Sequence, residues 1–113
     1  MIKIYHNPRC RKSREGLSIL EESGKEFEII KYLDEPITAS ELKTILEKLA
    51  IKPIELVRKN EKIWKENFKE KELTHENIIN AMLKYPKLIE RPIVINSNKA
   101  TIGRPPKLIL EII

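Results

Sequence analysis

The first 32 residues read MIKIYHNPRCRKSREGLSILEESGKEFEIIKY, and their pattern decides the fold. Ile2 to Tyr5 has the composition of a short strand, and Phe27 to Tyr32 has that of a second strand. Between them, Lys12 to Ser23 carries apolar residues at helical spacing, and Gly24 lies where a helix commonly ends in a left-handed residue. This order predicts a βαβ unit, in which the two strands are parallel and the crossover is right-handed.

The middle of the chain predicts a helical insertion. Its signals are a capping box, a proline that can begin a short helix, an aromatic pair four residues apart, an amphipathic stretch and a proline that should end that stretch. In chain order these are Thr38 with Glu41, Pro53, Trp64 with Phe68, Ile78 to Leu83, and Pro86. Lysine and glutamate alternate through residues 59–62 and 65–72, which is typical of a solvated helical face.

The C-terminal part predicts a hairpin and a final helix. Pro92 to Ile95 and Ala100 to Ile102 have the pattern of short strands on either side of a turn, and Pro105-Pro106 can begin a helix that continues to the last residue. The complete order, βαβ, helical insertion and ββα, is that of the thioredoxin-like fold. We therefore predict an α/β fold with a mixed sheet of about four strands flanked by helices, and a single domain over residues 1–113.

The composition is that of a globular protein. The chain has 113 residues, of which 41% are hydrophobic and 35% charged, and no apolar stretch approaches the ~20 residues that span a membrane. The N-terminal residues lack the pattern of a signal peptide, and a single cysteine cannot form an internal disulfide. We therefore expect a cytoplasmic protein in a reducing compartment, without membrane association.

The formal net charge of +5 is compatible with an anionic ligand, a nucleic acid or an acidic protein surface as partner. Aromatic residues make up only 5% of the chain and no recognised nucleic-acid-binding motif is present, so we do not expect nucleic acid. The two histidines, His6 and His75, and the one cysteine lack metal-ligand spacing. We expect no metal, and we expect His75 to lie at the surface.

Cys10 is the most informative single residue. It lies between the first predicted strand and the first predicted helix, at the sheet edge where open α/β proteins bind ligands and at the positive end of a helix dipole. One histidine and four cations lie within four residues of it, namely His6, Arg9, Arg11, Lys12 and Arg14. Each of them favours the thiolate. A buried structural cysteine is the alternative, but four cations around a buried thiol would be costly to desolvate, so we favour a reactive nucleophile.

Three further arginines, Arg58, Arg91 and Arg104, lie at boundaries between predicted elements. Arginine binds oxyanions bidentately and stays protonated, so these residues would offset the repulsion between a thiolate and an anionic substrate. Each arginine taken alone is more typical of a charged surface.

Four motifs in order make the sequence recognisable: Ile4-Tyr5-His6-Asn7-Pro8-Arg9-Cys10 with Ser13-Arg14, Leu56-Val57-Arg58-Lys59-Asn60, Arg91-Pro92-Ile93-Val94-Ile95, and Gly103-Arg104-Pro105. Over essentially its whole length, the chain resembles the arsenate reductase family that draws electrons from glutathione and glutaredoxin. That family has a thioredoxin-like fold with a helical insertion, and Spx-type regulators form a related branch.

The resemblance implies a role for each matching residue. The nucleophile is Cys10, the residues that hold its thiolate are His6 and the hydroxyl of Ser13, the arginines that bind arsenate and its reduction intermediates are Arg58, Arg91 and Arg104, and the cis-proline opposite the sulfur is Pro92. The chain departs from the best-studied pattern at Arg11-Lys12, where a Gly-Thr pair is usual. Two large cations there put the shape of the anion pocket in question.

The activity implied is the reduction of arsenate to arsenite by one nucleophilic cysteine. Glutathione is then a co-substrate and glutaredoxin a partner, no cofactor is bound because the electrons come from thiols, and we expect a monomer. Two alternatives remain open: an Spx-type regulator that binds RNA polymerase, and a thiol oxidoreductase of the same fold with another substrate. The Cys-x-x-Cys switch of Spx-type proteins cannot form here, because Ser13 occupies the second position.

Overall fold

The computed structural model describes residues 1–68 and 72–113. The chain divides into two compact units, the first formed by Met1–Glu35 with Arg91–Ile113 and the second by Pro36–Glu90. The second unit corresponds to the predicted helical insertion, and the assignment of residues 1–113 to a single domain stays a prediction. Residues 69–71, within the stretch predicted to form a solvated helical face, lie outside the described residues.

The first unit is built on a mixed sheet of four strands in the order β2-β1-β3-β4. Its elements are β1 (Ile2–Tyr5), α1 (Arg11–Ser23), β2 (Phe27–Ile30), β3 (Ile93–Asn96), β4 (Lys99–Ile102) and a 3-10 helix over Pro106–Glu111. β1 runs parallel to β2 and antiparallel to β3, which is antiparallel to β4. The predicted mixed sheet, the parallel pair and the hairpin are confirmed.

The core of this unit packs α1 and the C-terminal 3-10 helix against the sheet. Its fully or nearly fully buried members come from both halves of the unit and are Ile2, Ile4, Leu20, Val94 and Ile109. Burial of a large aliphatic side chain contributes roughly 1.5–3 kcal/mol, so this cluster joins the N-terminal βαβ unit to the C-terminal segment. As predicted, α1 ends at Gly24, which has a left-handed φ of 73°.

Besides one-residue differences at the starts of α1 and β3, the boundaries differ from the predictions at three places. β2 ends at Ile30 and not at Tyr32, because the Lys31 carbonyl accepts the N–H groups of Asp34 and Glu35 and turns the chain. The hairpin turn is shorter than predicted, because Ser97 adopts a φ of 56° and lets both strands extend towards it. The last helix is 3-10 and ends at Glu111.

The second unit is helical. It contains α2 (Ala39–Leu49), a 3-10 helix at Pro53–Leu56, α3 (Lys62–Asn67), α4 (His75–Lys84) and a 3-10 helix at Pro86–Leu88. Both predicted boundary signals are confirmed, since the Glu41 N–H donates to Thr38 Oγ1 at 3.1 Å and α4 ends before Pro86. The rings of Trp64 and Phe68 stack with centroids 5.4 Å apart.

His75 is exposed, as expected. No helix in residues 1–68 or 72–113 has the length and apolar character needed to cross a membrane.

Candidate active site

The segment between β1 and α1 is held in shape by Asn7, which is buried. Its side-chain Oδ1 accepts the Arg9 N–H at 3.0 Å and its carbonyl accepts the Cys10 N–H at 3.0 Å, so the chain turns tightly after the strand. The Asn7 N–H donates to Ser13 Oγ at 3.0 Å. These three bonds fix the position of Cys10 relative to the first turn of α1.

Cys10 is the N-cap of α1 and is partly buried. Its carbonyl accepts the Arg14 N–H at 3.0 Å, which begins the helix, and its side chain lies beside first-turn N–H groups that have no partner within the helix. Burial raises the pKa of the Cys10 thiol, but hydrogen bonds from the backbone of Ser13 and Lys12 and the guanidinium of Arg91 lower it more, and the net pKa is below the ordinary value. The sulfur is therefore poised to react as a thiolate.

Two of the three predicted anion-binding arginines lie at this sulfur. Arg104 Nη2 lies 3.7 Å from Sγ, and the Arg91 guanidinium is close enough to lower the pKa of the thiol. Arg104 Nε also donates to the Arg91 carbonyl at 2.9 Å, so the two arginine-bearing segments are joined. The peptide bond before Pro92 is cis, as the resemblance implies, and the bond before Pro105 is cis as well.

His6 and Ser13 form a buried pair with Nδ1 and Oγ 2.7 Å apart. Burial and the nearby charges of Lys31 and Arg14 lower the pKa of His6, while a hydrogen bond with the Ser13 backbone raises it, and the net pKa is below its ordinary value. A neutral imidazole at neutral pH follows. His6 contacts Ser13, and the backbone of Ser13 contacts the sulfur. The expected influence of His6 on the thiolate can therefore act through Ser13.

Arg58 lies in the second unit, in a setting that the sequence did not reveal. Its Nη1 is 2.9 Å from Glu90 Oε1, its Nε is 3.9 Å from Glu61 Oε2, and the side chains of Arg58 and Glu90 are both about four-fifths buried, with 21% and 23% exposed. The Val57–Ile89 bridge pairs the two backbone segments beside them. Two carboxylates therefore neighbour this guanidinium, and its assignment to the anion stays a prediction from the resemblance.

The two cations that depart from the family pattern contact Glu15. Arg11 Nε lies 3.1 Å and Lys12 Nζ 3.7 Å from the Glu15 carboxylate, and the Arg11 side chain is 85% exposed. Arg14, by contrast, reaches back and donates from Nη1 to the Pro8 carbonyl at 3.0 Å. The contacts of Arg11 and Lys12 with Glu15 thus run along the surface of α1.

Asn7, Glu15 and Glu90 are the site residues that sequence reasoning missed. Asn7 precedes Pro8, and an Asn-Pro pair is a turn signal that could have revealed it. Glu90 adjoins Arg91 but carries no signal for its pairing with Arg58. Among the described residues, no group of three or more His, Cys, Asp or Glu side chains could hold a metal ion.

Taken together, the first unit presents a nucleophilic sulfur at a helix N-terminus with two guanidinium groups beside it. Such a site can bind an oxyanion and attack its central atom, because the arginines offset the repulsion between the two negative charges.

Comparison with known proteins identifies relatives along the whole chain. The ArsC family model matches residues 5–112. The uncharacterized protein YfgD of Escherichia coli K12 is 48% identical over an alignment of 114 residues, gaps included, which covers 99% of this chain and 96% of that protein. The arsenate reductase of Neisseria meningitidis serogroup B (strain MC58) is 44% identical over 106 residues, covering 92% and 91%. The solved structure of the arsenate reductase from Vibrio cholerae is 41% identical, with a TM-score of 0.94 and coverage of 99% and 97%.

Proposed function

This chain belongs to the ArsC family, and from that premise we propose that it reduces arsenate to arsenite with Cys10 as its single nucleophile. The observation that carries the proposal is the pair of arginines at one sulfur: Arg104 Nη2 lies 3.7 Å from Sγ, and the Arg91 guanidinium lowers the pKa of the thiol. A thiol that served only as a core residue would not need two guanidinium groups, whereas attack on an oxyanion does.

The proposed reaction begins with Cys10. Its sulfur forms a bond to arsenic, one As–O bond breaks, and the oxygen leaves as water, without a change in oxidation state. Glutathione then replaces a second oxygen, which also leaves as water. A glutaredoxin thiol then attacks the glutathione sulfur, which forms a disulfide between glutaredoxin and glutathione. The electron pair of the broken bond between that sulfur and arsenic stays on arsenic and reduces it from the +5 to the +3 state.

Hydrolysis of the remaining S–As bond returns the Cys10 thiol and releases arsenite. Overall, arsenate and two thiols give arsenite, one disulfide and one water. No bound cofactor is required by this balance, because thiols supply both electrons.

External thiols are proposed because the chain contains one cysteine. A resolving thiol must therefore come from another molecule, and glutathione with glutaredoxin supplies two. These donors place the proposed reaction in the reducing environment of the cytoplasm. We assign anion binding to Arg91 and Arg104 on the contacts above, and to Arg58 on the resemblance, with the protein acting as a monomer.

The test is arsenate-dependent oxidation of NADPH, coupled through glutathione, glutathione reductase and glutaredoxin. We expect turnover that needs all three and that Cys10→Ser abolishes, since oxygen is a poor nucleophile without a matched base. Glu22→Ala, a substitution at an exposed position of α1, is the control for effects of mutation and purification that do not involve the site.

The same preparation separates the two alternatives. Reduction of a glutathionylated peptide without arsenate turnover would favour a thiol oxidoreductase with another substrate. Capture of the RNA polymerase α subunit, with neither reaction, would favour an Spx-type regulator.

A further inference from the structure

Two glycines of the first unit, Gly16 and Gly103, lie close to the ring of Pro92. Gly16 is buried in the second turn of α1, the helix that Cys10 caps, and Gly103 is buried directly after β4 and before Arg104. The Gly103 N–H donates to the Pro92 carbonyl at 2.8 Å. The Pro92 ring, which follows Arg91, therefore lies close both to the helix that the Cys10 residue caps and to the segment that carries Arg104.

Neither glycine leaves space for a methyl group. A Cβ on Gly16 would lie 2.9 Å from Pro92 Cγ and 3.0 Å from Ile109 Cδ1, and a Cβ on Gly103 would lie 2.8 Å and 3.1 Å from the same two atoms. Ordinary van der Waals contact begins near 3.4 Å. The Ile109 methyl can move, but the Pro92 ring is rigid, so a Cβ would displace α1 or the Arg104 segment.

Backbone conformation does not explain these glycines. Gly24 is the glycine with a left-handed φ, whereas alanine could adopt the backbone of Gly16 and would favour the helix more than glycine does. The reason for glycine at these positions is therefore the close approach to Pro92.

That approach controls the distance between the sulfur and the guanidinium groups. Arg91 immediately precedes Pro92, Arg104 immediately follows Gly103, and Arg104 connects the two segments by donating from Nε to the Arg91 carbonyl at 2.9 Å. The Arg104 contact with Cys10 Sγ is already long, at 3.7 Å. A displacement of α1 by a few tenths of an ångström would weaken it further.

We propose that Gly16 and Gly103 are positioning residues of the active site, which hold the Cys10 sulfur within reach of Arg91 and Arg104 by allowing α1 and the Arg104 segment to close on Pro92. The inference rests on the proposed function for its activity readout alone, because the reactivity of the thiol can be measured without arsenate.

The test is Gly16→Ala, compared with Ser18→Ala at an exposed position of the same helix. We expect a folded Gly16→Ala protein whose thiol pKa is higher, so that alkylation by iodoacetamide at neutral pH slows by about threefold or more. Arsenate kcat/KM should fall by roughly tenfold. Ser18→Ala should match the wild type in both. If a folded Gly16→Ala protein is alkylated at the wild-type rate, the proposal is overturned, whatever the arsenate activity of that variant.

A second variant addresses the case in which Gly16→Ala does not fold. Ile109→Val removes Cδ1, one of the two atoms that the new Cβ would meet, and Gly16→Ala with Ile109→Val should recover the circular dichroism of the native protein. Because the Pro92 ring remains in contact, alkylation should still be slow. If the folded double variant is alkylated as fast as the Ile109→Val variant alone, the positioning role is excluded. If the wild-type thiol is alkylated rapidly but the protein reduces no arsenate, the proposed function fails while the positioning role stands.

Discussion

Arg104→Gln is expected to raise the pKa of the Cys10 thiol. At the 3.7 Å that separates Nη2 from Sγ, a pair of unit charges interacts by about 1.1 kcal/mol in bulk water and by about 4.5 kcal/mol at an effective dielectric constant of ~20. Because Arg104 is exposed, we take the lower value. Below the pKa, the thiolate fraction would then fall by about sixfold.

The assay is the pH dependence of the rate of alkylation by iodoacetamide, which follows the thiolate fraction. Arg11→Gln is the matched control, because it removes the same charge beside Cys10 in sequence while its guanidinium lies at Glu15. Added salt should reduce the difference between wild type and Arg104→Gln, since an exposed charge pair is screened. An equal shift in the two variants would mean that the cations act as a diffuse field, and no shift for Arg104→Gln would refute the contact.

Three further outcomes are expected. Arg91→Lys should lower arsenate kcat/KM by roughly tenfold, or about 1.4 kcal/mol, because lysine keeps the charge and loses the planar fork, whereas Arg9→Lys should leave the coupled assay unchanged. Because the pKa of His6 is lowered, the folded state binds fewer protons than the unfolded state. The free energy of unfolding should therefore fall as pH drops below the ordinary value of 6.5, by at most about 1.4 kcal/mol per pH unit. Urea titrations of the His6→Gln variant should lose this pH dependence. Glu90→Gln should destabilise the protein by about 1–3 kcal/mol in chemical denaturation, because it removes the negative charge 2.9 Å from the largely buried Arg58 guanidinium; an unchanged midpoint would assign this ion pair no structural role.

The fold could be predicted because its signals are local. The capping box of Thr38, the left-handed Gly24 and the helix-ending Pro86 each act within a few residues of the chain, and each is confirmed. The end of β2 differs because it depends on backbone hydrogen bonds whose donors sequence patterns do not identify. The Lys31 carbonyl ends β2 by accepting two N–H groups from the following turn.

The candidate site could be predicted only as a set of residue types. Cys10 and Arg104 are 94 positions apart, and Arg58 and Glu90 are 32 apart, so their contacts depend on how the chain closes. Arginine at an element boundary has the same sequence signature whether it meets a sulfur or a carboxylate. The structure separates Arg104, whose guanidinium faces a thiol, from Arg58, whose guanidinium faces Glu90, and no pattern in the sequence distinguishes them.

The hydroxyl of Ser13 shows how His6 can act on Cys10 without touching it. Ser13 Oγ has two lone pairs and one proton, and it already accepts the Asn7 N–H. If the hydroxyl donates its proton to Nδ1 of His6, nothing remains for the sulfur. If Nδ1 carries the proton and donates it, both lone pairs are filled and the hydroxyl proton is free for the thiolate, which is the bond that the resemblance assigns to Ser13. If the Ser13 hydroxyl donates to the thiolate as the resemblance implies, the neutral His6 tautomer protonated at Nδ1 is required, and the lowered pKa of His6 keeps the ring neutral at the pH where the thiol must ionise.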